Sequence, residues 1–123
     1  MQKLDRLSLV ALAKAHIPSP CKCALGACPG WESFTEDRWP KAQMTALGTL
    51  RDPDVYEPTQ EEHHSEGSRY GSPGAPIAVN FFPYNVSDVY ACGTCDRVLL
   101  RYTEYGGYYV DHRVRQCQPE LVV

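Results

Sequence analysis

Leu4, Leu7, Val10, Ala11 and Leu12 return at close to helical spacing, and Pro18 and Pro20 interrupt the pattern. This predicts an amphipathic helix over residues 3 to 16, its apolar stripe turned to a core or a partner. Residues 21 to 39 are turn-rich and hold three cysteines. Pro40 predicts the opening of a second short helix on which Met44, Leu47 and Leu50 share a face. From 51 to 76 the periodicity vanishes. Asp52, Asp54, Glu57, Glu61, Glu62 and Glu66 are followed there by Gly71, Pro73, Gly74 and Pro76, the signature of a long acidic loop. Beyond it Ile77, Val79 and Phe81 alternate, and β-rich stretches follow at 86–91, 97–105 and 108–115. The pattern predicts an α+β domain with an N-terminal helix and a C-terminal antiparallel sheet of three or four strands.

The last two strands allow a choice of pairing. A two-residue Gly106-Gly107 loop would set Tyr105 against Tyr108. Val98, Leu100 and Tyr102 would then share a face with Asp111, Arg113 and Arg115, burying charge. A three-residue loop with a glycine bulge instead sets Leu100 opposite Val114 and Tyr102 opposite His112, a mostly apolar face. The bulged hairpin is the expectation.

At 123 residues the chain fits one domain spanning 1-123, with a core of modest margin. A net charge of -3 argues against broad nucleic-acid affinity and favours a basic partner. No stretch approaches the roughly 20 apolar residues of a membrane span. The short run Ser8–Ala13, crowded by Asp5 and Arg6, is a poor secretory signal, so a cytoplasmic location is expected.

Five of the six cysteines cluster as Cys21, Cys23 and Cys28, then Cys92 and Cys95. Side chains two apart on an extended segment point the same way, and a Cys-x-x-Cys turn brings two thiols together by curling back. Four thiolates suit tetrahedral Zn²⁺. The expected ligands are Cys23, Cys28, Cys92 and Cys95, with Cys21 as the alternative. Structural zinc contributes on the order of 10 to 16 kcal/mol in small peptides, against about 5 to 15 kcal/mol for a whole domain. The domain is therefore expected to depend on its metal. Cys117 reads as a bystander, and His112 as a half-buried histidine beside Val110 and Val114. His63 and His64 read as part of the solvated acidic loop.

A closed four-thiolate site has no open position for water or substrate, and no His-Glu-x-x-His pattern accompanies it. A non-enzymatic protein-interaction module is the expected function. Its candidate contacts are Asp54, Glu57, Glu61 and Glu62, which would steer a basic partner, and Tyr105, Tyr108 and Tyr109, since tyrosine is enriched at interfaces. One alternative is nucleic-acid binding through Arg97, Arg101, Arg113 and Arg115. Another is thiol-disulfide exchange at Cys92/Cys95, which requires residues 96 to 105 to be helical.

Tyr90-Ala91-Cys92-Gly93-Thr94-Cys95-Asp96-Arg97 resembles a zinc-ribbon knuckle, although the Cys21-Lys22-Cys23 cluster and the gap of about sixty residues depart from a standard ribbon. The segment from Cys21 to Trp31, together with Leu99 to Tyr109, resembles small bacterial proteins of the toxin-immunity kind. That resemblance implies a cytoplasmic inhibitor that plugs the active site of a cognate toxin, and the acidic loop would suit a basic toxin domain as the partner.

Overall fold

The computed structural model describes residues 2–15, 26–62, 74–105, 108 and 110–123. Helix α1 runs Arg6–Ala15. Asp5 starts it: its carboxylate accepts from the Ser8 N–H at 2.7 Å, and its carbonyl accepts from the Leu9 N–H at 3.0 Å. Leu9 and Ala13, one turn apart, are the buried residues of the helix. Burying a leucine fully contributes about 1.5–3 kcal/mol. The helix begins later than the expected residue 3 because the preceding backbone is engaged elsewhere. Leu4 N–H donates to Thr49 O at 2.8 Å, and Thr49 N–H donates to Gln2 O at 2.9 Å.

Five strands form one antiparallel sheet: β1 (Glu32–Phe34), β2 (Met44–Thr49), β3 (Asp88–Cys92), β4 (Val98–Tyr105) and β5 (Val110–Gln116), in the order β1-β5-β4-β3-β2. The α+β class holds, and the sheet is wider than the three or four strands expected. The two added strands are the edges. Glu32–Phe34 lay hidden in a turn-rich stretch. The segment after Pro40 makes only a 3-10 turn, Lys41–Gln43, before extending as β2. The expected second helix is therefore a strand, and its apparent helical spacing arises from a bulge between Ala46 and Gly48, which shifts the alternation by one residue. Gly48 is needed where the N-terminal residues cross. A Cβ there would lie 2.7 Å from Gln2 O and 2.7 Å from the Leu4 side chain. Residues 77–81, expected as a strand, make only an isolated bridge, Ile77 to Val122.

Both faces of the sheet are covered. On one, Val89, Val98, Leu100 and Tyr102 pack with Leu4, Leu9, Trp31, Ile77, Tyr84 and Val122. On the other, Leu99 and Val114 pack with Cys28, Phe34 and Trp39, flanked by Met44 and Tyr90.

The β4–β5 pairing corrects the expected hairpin. Leu100 pairs with Arg115, Tyr102 with Arg113, Thr103 with His112 and Tyr105 with Val110. Arg113 and Arg115 therefore share the face of Leu100 and Tyr102, the arrangement set aside as burying charge. Arg115 is wholly buried. Its guanidinium donates to the Tyr84 hydroxyl at 2.7 Å and to Ala75 O at 2.9 Å, so the desolvation cost is offset by specific acceptors. Arg113, nearer the hairpin end, meets Glu104 at 2.8 Å.

Candidate functional site

Cys92 ends β3, and Cys95 sits in the turn that leads into β4. Two backbone bonds close that turn: Asp96 N–H to Cys92 O at 2.8 Å, and Cys92 N–H to Arg97 O at 3.0 Å. Asp96 takes a left-handed conformation, φ 62°, which aspartate tolerates better than most residues. A Cys-x-x-Cys turn closed in this way presents both thiols from one bend. Cys92 and Cys95 are both wholly buried.

Cys28 is the third wholly buried thiol. Its segment is tied to the same end of the sheet: Gln116 N–H donates to Cys28 O at 2.8 Å, and the Arg97 guanidinium reaches Ala27 O at 3.0 Å. Its φ of 46° is unusual for a non-glycine residue, and such strain concentrates where surroundings fix a side chain. Cys21 and Cys23 lie outside the described residues. Among the described residues no group of three or more His, Cys, Asp and Glu is arranged to hold a metal ion. Cys117 is also buried, on the strand end beyond β5, and burial pushes its thiol up to about 12.

The acidic stretch is irregular through Glu62; His63, His64 and Glu66 lie outside the described residues. Asp52 accepts the Asp54 N–H at 2.9 Å in a tight turn. Farther on, Asn85 Nδ2 donates to Thr59 O at 2.8 Å and Phe82 N–H donates to Glu61 O at 2.8 Å, fastening the stretch to the body. Asp54, Glu57 and Glu61 are exposed and Glu62 is half-buried. Tyr56, which stands among these acids, is 92% exposed. A pocket of about 410 Å³ opens here between Lys3, Leu50, Val55, Glu57 and Asn80.

Tyr105 and Tyr108 at the β4–β5 end are 79% and 105% exposed, with Val110 exposed beside them. Tyr109 lies outside the described residues. Tyr84 and Tyr102 are core residues, where Trp31 packs edge-on against Tyr102 at 4.8 Å. The tyrosine-rich final third therefore supplies both core and surface.

One cluster was not anticipated. Glu36, in a 3-10 turn after β1, pairs with Arg101 at 2.7 Å and with His112 Nε2 at 3.2 Å. His112 Nδ1 lies 3.2 Å from the Thr103 hydroxyl, and the Arg101 guanidinium stacks over Trp39 at 4.6 Å. This network clips the Glu36–Trp39 segment onto the sheet. The alternation of Arg101 with Leu100 and Tyr102 was its visible signal; the position of Glu36 had none. The chain matches no protein-family model, no curated protein and no solved structure.

Proposed function

We propose that this protein is a non-enzymatic interaction module stapled by one Zn²⁺, and that it acts as a toxin-neutralising immunity protein. The observation that carries the reading is the Cys92–Cys95 turn, closed by two backbone bonds around Asp96, with Cys28 held by its backbone at the same end of the sheet. The described thiols do not form a ligand group by themselves, so zinc would draw Cys28, with Cys23 or Cys21, to that turn. Zinc bound there would join the segment before β1 to the β3–β4 turn and leave no position for catalysis.

Binding would fall to the two exposed surfaces. Tyr105 and Tyr108 offer large, rigid contact area. Asp54, Glu57 and Glu61 offer negative charge to a basic toxin domain. The two alternatives lose ground. Residues 98–105 form strand β4, without the helix that thioredoxin-like exchange needs. The four arginines of the nucleic-acid reading do not make an open basic face: Arg97 and Arg115 are buried, Arg101 meets Glu36 and Arg113 meets Glu104.

Metal analysis of the purified chain should give one zinc per protein. Cys92→Ser and Cys95→Ser should abolish it, while Cys117→Ser should retain it. A metal-free wild-type protein of unchanged stability would overturn the staple. For the partner, a toxin captured from the source cell should bind the full chain more weakly after Tyr105→Ala or Tyr108→Ala, by roughly tenfold or more at a contact hot spot. Unchanged affinity in both variants would exclude the tyrosine surface.

A further inference from the structure

The two edges of the sheet are guarded differently. Strand β1 is three residues long and carries exposed Glu32, which suits an edge that must not pair. Strand β2, Met-Thr-Ala-Leu-Gly-Thr, holds no charge and no proline.

Its outward backbone groups follow from the bonds it makes. Gly93 N–H donates to Gln43 O and Leu50 N–H donates to Ser87 O, both toward β3, whereas Thr49 bonds outward to Gln2 and Leu4. Alternation from Gln43, shifted by the bulge at Leu47, points Met44 and Ala46 away from β3. Gln2–Leu4 hydrogen-bond to Thr49 and lie against Gly48. Among the described residues no backbone partner meets Met44 or Ala46 on the outer side, and Thr45 and Ala46 are exposed.

We infer that the Met44–Leu47 edge pairs with the same edge of a second copy of this chain, joining two five-stranded sheets about a twofold axis. The edge is self-complementary. With Thr45 opposite Thr45 of the other copy, Met44 falls opposite Ala46 in both directions. Each outward residue then meets an outward residue, and four backbone bonds close. Met against Ala matches a long side chain with a short one, and Thr against Thr is a favourable cross-strand pair. No like charges face each other, and a closed twofold contact leaves no edge to propagate. Gln2–Leu4 end the open stretch near Gly48 and confine the ladder to these residues. So short a ladder falls below the ~1,200 Å² typical of stable interfaces, so the dimer should be weak and should dissociate on dilution.

Sedimentation velocity of the full chain from ~1 µM to ~1 mM, the range of weak complexes, should show the mass rising toward that of a dimer. Amide exchange at Met44 and Ala46 should slow as concentration rises. Thr45→Lys, on an exposed side chain, sets two cations against each other across the axis and should return the protein to monomer at every concentration with an unchanged near-UV spectrum. Ala46→Pro, which removes one outward N–H, should do the same. A wild-type chain monomeric at ~1 mM overturns the inference, including the case in which a different protein covers the edge. A Thr45→Lys variant that assembles like the wild type overturns it as well.

Discussion

Truncating Arg115 to alanine strips the Tyr84 hydroxyl and the Ala75 carbonyl of their buried donor and opens a cavity under the sheet. A loss of about 2–5 kcal/mol is expected, read from urea unfolding. Arg115→Met, which keeps the volume, should cost less. The Cys117 thiol, raised from 9.0 to about 12 chiefly by burial, should resist thiol reagents at pH 8 until the protein unfolds, because only the thiolate reacts. Its raised value also sets an alkaline limit. The unfolded thiol ionises first, so the stability it contributes is whole below pH 9 and drains away as pH rises toward about 12. A stability profile flat across that window would contradict the burial of this side chain. Little of this was legible in the sequence. Arg115 looked too costly to face the core because its acceptors come from Tyr84 and Ala75, residues remote in the chain that only the tertiary fold brings together.

At the level of elements, α1 is tuned by Asp5. The Ser8 N–H holds its carboxyl below the ordinary 3.8, so the cap is at full strength above that pH and weakens as pH falls through the lowered value. Asp5→Ala should speed amide exchange at Ser8 and Leu9 several-fold at neutral pH, and the difference from wild type should shrink in acid. Helix α1 and strands β3 to β5 were readable because their apolar spacing is regular over a turn or more of helix or several strand residues. The edge strands were not. β1 is only three residues long, and the bulge in β2 gives Met44, Leu47 and Leu50 a spacing that imitates a helix. The hairpin failed for a different reason. Pairing of Tyr105 with Val110 leaves four residues between the strands, longer than the two- and three-residue loops that a glycine pair suits.

For the whole molecule, a zinc ion held as proposed would be the largest single source of stability. Exhaustive chelation should lower the thermal midpoint by well over the roughly 4 °C that ~1 kcal/mol shifts in a domain of between about 100 and 150 residues. A midpoint unmoved by chelator would leave the two packed faces to hold the fold alone. The turn joining Cys92 to Cys95 was legible from its spacing, whereas composition did not separate the exposed Tyr105 and Tyr108 from the buried Tyr84 and Tyr102. The Glu36 clip was not, since it joins a 3-10 turn to two strands some seventy residues away.

A sheet covered on both sides has a consequence for the chain before it folds. Val98, Leu99 and Leu100 are all essentially inaccessible in the native protein, so on a ribosome-fresh chain they form an exposed apolar triplet. Arg97 and Arg101 bracket that triplet, and charged flanks of this kind discourage clumping. The guanidiniums that later settle against Ala27 and Glu36 thus serve first as solubilising sentries during synthesis.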